Sequence, residues 1–234
     1  MSSTFPQLLL EHAARRPHEP ALRVKEYGIW QTTSWAALAD QVRELAGGFA
    51  AAGMKRNDHL VVVGENRPRL SAAMLAAQTL GAIPIPLYQD AVSAEFVFPI
   101  NNADVRFAVV EDQEQVDKML EIREQCPQLQ HIWFDDPRGL RNYEESGLSS
   151  MDDLQAQGAQ HAAQHPGFFD QAVQQCKPQD VAAMFFTSGT TGNPKGVVHT
   201  HHSLLDRASA GAKFDHLTER EERSEEHTSE LQSH

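Results

Sequence analysis

Val181-Ala182-Ala183-Met184-Phe185-Phe186-Thr187-Ser188-Gly189-Thr190-Thr191-Gly192-Asn193-Pro194-Lys195-Gly196 sets the reading of this chain. The first six residues form an apolar run, the pattern of a buried strand. The next ten form a loop with three glycines, four hydroxyls and one lysine. Glycines let successive backbone amides turn toward one point, hydroxyls add donors, and Lys195 adds a point charge. Such a loop suits the terminal phosphates of a nucleotide. It is not a Walker loop, which needs Ser or Thr directly after its lysine, because Gly196 follows Lys195. No G-x-G-x-x-G string is present, so a Rossmann fingerprint is also absent.

Beyond the loop, Val197-Val198-His199-Thr200 reads as a short strand, and His201 or His202 opens a helix through about Ala210. The loop thus lies inside a strand-loop-strand hairpin. Without a helix dipole at hand, backbone amides and side chains must do the binding. His199, His201 and His202 invite a zinc reading, with His199 and His201 on one face of an extended chain. No Cys or carboxylate cluster accompanies them. We therefore read them as supporting the nucleotide site or capping the next helix.

Upstream, apolar periodicity alternates between strand and helix. Thr4 and Pro6 begin a helix through about Arg16. Ala21 to Thr33 reads as a hairpin turning at Tyr27-Gly28. Ser34 caps a helix whose apolar face is Trp35, Leu38, Val42, Leu45 and Phe49. Strands are expected at 60–63, 83–87, 105–110 and 129–134, and helices at 68–80, 93–102 and 113–124. Ser93 is a fair cap for the helix at 93–102, but Pro99 inside it predicts a kinked or short helix. This rhythm predicts an α/β fold with a doubly wound, mostly parallel sheet flanked by helices. Ser150 is expected to cap a short helix with Asp152 and Asp153 in its first turn. Residues 155–175, rich in Gln, Ala and His, read as a polar surface excursion before the sheet resumes at Val181. The acidic pairs at Asp112/Glu114 and Asp135/Asp136 read as helix starts or solvated faces rather than acid–base machinery.

The phosphate loop resembles that of the adenylate-forming superfamily, which includes acyl-CoA synthetases, luciferases and peptide-synthetase adenylation domains. Three other stretches look like bacterial long-chain fatty acyl-CoA synthetases: Gly64-Glu65-Asn66-Arg67-Pro68, Pro86-Leu87-Tyr88-Gln89-Asp90 and Val109-Val110-Glu111-Asp112-Gln113-Glu114-Gln115. The hairpin carrying Trp30-Gln31-Thr32-Thr33-Ser34-Trp35 fits the same branch. The resemblance implies that a carboxylate attacks ATP with Mg²⁺, giving an acyl-adenylate and pyrophosphate. Coenzyme A then displaces AMP. It further implies that Thr187, Ser188, Gly189, Thr190, Thr191 and Gly192 wrap the β- and γ-phosphates. Lys195, the expected catalytic residue, would neutralise pyrophosphate as it leaves. The substrate would be a fatty acid, or in other branches an aryl or amino acid; a non-catalytic nucleotide-binding remnant is the further alternative.

The resemblance covers about residues 5 to 215, well under half of such an enzyme. Residues 1–222 read as the N-terminal portion of the AMP-binding domain, with the phosphate loop at 187–196. The family's downstream Thr-Glu pair, hinge and C-terminal lysine are not in it, so the isolated chain is expected not to turn over. A sheet cut partway would leave an edge and an apolar face uncovered. Residues 223–234, RSEEHTSELQSH, carry no apolar periodicity and resemble the conceptual translation of a short-read sequencing adapter. They are expected to be a non-native or disordered tail.

Composition narrows the remaining classes. The 234 residues carry a net charge of −12, which disfavours nonspecific nucleic-acid or anionic-membrane binding. Cys126 and Cys176 are too few for a disulfide framework and fit a reducing compartment. The start lacks the basic and apolar regions of a secretory signal. No apolar run approaches the roughly 18 residues of a membrane span. We read a cytosolic protein, open to touching membranes when it delivers a lipid product.

Overall fold

Thr4 caps the first helix, α1 (Phe5–Arg15), by accepting from the Gln7 amide while the Gln7 side chain accepts from Thr4 in return. This reciprocal pair satisfies two amides that a helix start otherwise leaves open. The computed structural model describes residues 3–187 and 194–218. Strands β1 (Pro20–Glu26) and β2 (Ile29–Ser34) form the expected hairpin. Its turn residues Tyr27 and Gly28 both take positive φ, 48° and 81°, as a tight two-residue hairpin turn demands. Ser34 then caps α2 (Trp35–Ala51) by accepting from the Ala37 amide at 3.2 Å.

The chain next winds β3 (His59–Val63), α3 (Pro68–Thr79), β4 (Ile83–Leu87), α4 (Ser93–Asn102), β5 (Phe107–Val110), α5 (Gln113–Glu121), β6 (His131–Phe134) and β7 (Leu148–Ser150). The strands form a parallel sheet in the order β4-β3-β5-β6-β7. It starts at β3, inside the sheet, and adds one strand on one side and three on the other, as expected of a doubly wound fold. Alternation along the strands sorts the side chains. Leu60, Val62, Phe107, Val109 and Trp133 join the core under α2 and α3. Val61, Val63, Ala108, Val110 and Ile132 join the core under α4 and α5. Burial on both faces explains why these strands read as continuous apolar runs.

Several local expectations shift. Ser93 is not the cap of α4; Val92 holds that position with no side-chain hydrogen bond. The helix nevertheless reaches Asn102 with Pro99 buried inside it. Helix α5 stops at Glu121, and Arg123–Gln125 forms a 3-10 turn after it. Asp112 caps α5 by accepting from the Gln115 amide at 3.3 Å, in line with the helix-start reading.

The larger correction concerns residues 155–175. They are not a surface excursion but most of two helices, α6 (Met151–Gln164) and α7 (Phe168–Gln175). Met151, Leu154, Phe169 and Val173 are buried in the same core as α2 and α3. Ser150 does cap α6, with Asp153 completing a capping box. The polar composition misleads because beyond Leu154 the α2–α6 contact is made largely by backbone at glycine. A Cβ on Gly158 would fall 1.7 Å from the Glu44 carbonyl oxygen, and one on Gly48 2.3 Å from the Leu154 carbonyl oxygen. Glycine at these places lets the two helices touch main chain to main chain.

The sheet also does not resume at Val181. Strand β8 (Val181–Thr187) pairs only with β9 (Lys195–Thr200), in a separate antiparallel sheet, although it packs beside β4. The Ile83 amide donates to the Asp58 carbonyl at 2.8 Å, toward β3. Amides alternate sides along a strand, so positions 84 and 86 face outward. Both are prolines and have no N–H to offer.

Gly158→Ala should lower stability by about 1–3 kcal/mol, because the neighbour that must give way is backbone. Gly211→Ala meets nothing within 4 Å and should raise it by up to about 1 kcal/mol through helix propensity. Urea unfolding midpoints of the two variants test the contrast.

Candidate functional site

The β8–β9 ladder places Thr187 directly opposite Lys195, and both side chains are exposed. The sequence-predicted residues Ser188, Gly189, Thr190, Thr191 and Gly192 lie outside the described residues, between these two. Of the predicted site, then, the fold brings together its two ends, a hydroxyl and a cation. Antiparallel partners sit about 5 Å apart at Cα, so any group held by one is within reach of the other.

The hairpin is anchored by side chains rather than by sheet hydrogen bonds. Arg56 pairs with Asp180 at 2.8 Å and donates to the Gln175 carbonyl. The Lys177 amide donates to the same Asp180 carboxylate at 2.9 Å. Burial works to raise the Asp180 carboxyl pKa, but the Lys177 amide and the Arg56 guanidinium outweigh it and hold it below the usual range. Gln78, buried in α3, donates to the Ala182 carbonyl at 2.8 Å. None of these anchors was named from sequence. Arg56 and Asp180 lie far apart along the chain, and only folding joins them.

Asp180 precedes β8, and its partner Arg56 precedes β3. Near the other end of β8, Phe186 packs edge-on against Phe98 of α4, the helix after β4. Strand β8 therefore runs with β4, and the loop leaves from the carboxyl edge of the parallel sheet. Ligands of open α/β sheets bind along that edge. Two of the synthetase-like sequence stretches also meet there. The Glu111 carboxylate, after β5, accepts from the Glu65 amide at 2.6 Å and Arg67 Nε at 2.7 Å, after β3. Asp135, after β6, pairs with Arg69 at 2.9 Å; burial raises its carboxyl pKa against the pull of that arginine. These acids are committed to structural pairs.

Helix α8 (His201–Phe214) begins directly after β9, and it is Thr200 that caps it, accepting from the Ser203 amide at 3.1 Å. His201 is therefore the first helical residue and does not share an extended face with His199. It is only 1% exposed. Its Nδ1 accepts the Phe5 amide of α1 at 3.3 Å, and its ring tilts against Phe5. Its own amide donates to the Asp180 carbonyl at 3.1 Å. Burial pushes the imidazole pKa down to about 4, with Asp180 pulling weakly the other way. His201 thus ties the hairpin to the start of the chain. Among the described residues, no group of three or more His, Cys, Asp or Glu could hold a metal ion. No helix among them is long and apolar enough to cross a membrane.

A family profile described as AMP-binding enzyme matches residues 9–228. Among curated relatives, the long-chain-fatty-acid–CoA ligase ACSBG2 of Xenopus laevis is 27% identical over 218 residues, which are 92% of this chain and 29% of that protein. The long-chain-fatty-acid–CoA ligase FadD15 of Mycobacterium tuberculosis is 24% identical over 191 residues, covering 82% of this chain and 30% of that protein. The chain thus spans under a third of the length of these relatives. Among solved structures, the N-terminal domain of FACL13 from Mycobacterium tuberculosis superposes with a TM-score of 0.68 at 23% identity, covering 90% of this chain and 48% of that one. VinN in complex with L-aspartate superposes with a TM-score of 0.67 at 19% identity, covering 91% and 52%. These two likenesses establish a shared fold.

The buried neutral His201 sets a pH dependence. Its folded-state pKa lies below the ordinary 6.5, so its contribution is complete above pH 6.5 and is lost as pH falls toward 4. The loss should reach on the order of 2–3 kcal/mol. Urea titrations across that range should show the decline, and His201→Gln, which keeps an acceptor without a titrating ring, should flatten it.

Proposed function

The chain belongs to the AMP-binding enzyme family, and from that membership we propose that it is the nucleotide-gripping N-terminal part of a cytosolic ligase converting a long-chain fatty acid to its coenzyme A thioester. The observation that carries this reading is the facing pair Thr187 and Lys195, at the mouth of an anchored hairpin on the carboxyl edge of the sheet. The names of the curated relatives support the fatty acid as the acid activated.

In the first step a fatty-acid carboxylate oxygen attacks the α-phosphorus of ATP. The bond to the bridging oxygen breaks, and pyrophosphate leaves with the electron pair. Charge builds on that leaving group, so a cation and donors aimed at it lower the barrier. We assign this task to Lys195 Nζ and the Thr187 hydroxyl, with Ser188, Gly189, Thr190, Thr191 and Gly192 completing the cradle. Thiol attack by coenzyme A on the acyl-adenylate then expels AMP. Mg²⁺ would enter with ATP as part of the substrate. The groups that act on the carboxylate and on coenzyme A are assigned to the remaining length of the parent enzyme.

Titration calorimetry with the purified chain should show ATP binding more tightly than AMP. Lys195→Ala should weaken ATP about tenfold or more, the scale of one charged hydrogen bond, and leave AMP unchanged. Equal affinity for ATP and AMP would overturn the phosphate assignment. The chain alone should release no AMP when given ATP, a long-chain fatty acid and coenzyme A; fatty-acid-dependent release would refute its reading as an incomplete enzyme.

A further inference from the structure

The β1–β2 hairpin presents two unlike faces. Residues directly opposite in an antiparallel ladder share a face, and so do alternate residues of one strand. Lys25 pairs with Trp30 and Arg23 with Thr32, so these four lie together. All four are exposed, Trp30 at 57%. On the opposite face, Leu22 packs against the core. At the tip, Tyr27 is 89% and Ile29 65% exposed.

The tip is also held in place. Arg138 Nη1 donates to the Tyr27 hydroxyl at 3.1 Å, and Arg138 is itself paired with Asp136. Both belong to the turn after β6, so the aromatic tip stands at the carboxyl edge of the parallel sheet. That is the edge from which the phosphate loop departs.

From this arrangement we propose that the outer face and tip of the β1–β2 hairpin dock on an anionic lipid bilayer. Trp and Tyr carry an apolar body with a polar end and settle at the headgroup level of membranes. Ile29, on the other side of the ladder but exposed at the tip, adds a purely apolar group. Arg23 and Lys25, on the same face as Trp30, supply positive charge where lipid phosphates would lie, while Arg138 is already paired with Asp136 and serves to hold the tip. The net charge of −12 repels an anionic surface at a distance. Within a Debye length of about 10 Å, local charges decide instead. Docking by this face would turn the nucleotide edge toward the bilayer, where an acid with a long hydrocarbon tail is dissolved.

The test uses the full chain with two vesicle preparations: phosphatidylcholine alone, and equal parts phosphatidylcholine and phosphatidylglycerol. Neither holds free fatty acid or nucleotide, so the outcome is independent of the substrate reading. Mixed vesicles should co-sediment the protein and shift its Trp emission to the blue. Trp30→Ser should abolish the shift and weaken binding to both preparations. Lys25→Glu should weaken binding to mixed vesicles about tenfold and barely change it on phosphatidylcholine. Both substitutions are at exposed positions, and far-UV circular dichroism checks that the variants fold. Absence of vesicle binding, or binding that both variants leave unchanged, would overturn the proposal. So would a Trp30→Ser variant that converts a dimer to a monomer without altering vesicle binding, because the face would then be a contact between copies.

Discussion

Two missing amides decide the shape of this molecule's working edge. Pro84 and Pro86 remove the N–H groups that β4 would offer to a further strand. The parallel ladder ends there, even though β8 lies alongside and runs the same way. The β8–β9 hairpin must be held by other means, and the chain uses a small set of directional contacts. Arg56 reaches Asp180, Gln78 reaches Ala182, and His201 reaches the first turn of α1. A strand with no outward N–H groups is also a poor template for a stray strand from another chain. The same two residues thus protect an edge and free a hairpin.

The hairpin changes how phosphates would be gripped. Many nucleotide folds run from strand through loop into a helix and use the positive end of the helix dipole. Here α8 begins only after β9, six residues past the loop's lysine. Its first turn points at the Asp180 carbonyl and the Thr200 hydroxyl. Under the proposed reading the charge for binding would come from a side chain, that of Lys195, which stands opposite Thr187 in the ladder.

Much of this was legible in the amino-acid sequence. Strands buried on both faces announce themselves as apolar runs, and Tyr27-Gly28, Ser34, Asp112 and Ser150 mark turns and helix starts through chemistry that acts within a few residues. The residue string between Thr187 and Lys195 carries the family resemblance by itself. What escaped was tertiary. Helix α6 packs through Met151 and Leu154 at its start but through Gly158 further along, and a glycine contact leaves no apolar signature. Ser93 looks like a cap, but Val92 takes the position because the chain enters one residue earlier. The Arg56–Asp180 pair and the His201–Phe5 bond join segments more than a hundred residues apart. No local pattern reveals that His201 is the histidine drawn into the core while His202 stays outside.

The glycine contact between α2 and α6 has a temporal side. Gly47 and Gly48 are synthesised roughly a hundred residues before Gly158. A ribosome adding about 5–20 residues per second leaves that helix face without its partner for some 5–20 seconds. During this interval the core under α2 is open on one side, and a glycine-lined face offers few side chains to deter a wrong neighbour. How long that face stays uncovered is set by the distance along the chain between two helices, rather than by the stability of the finished fold.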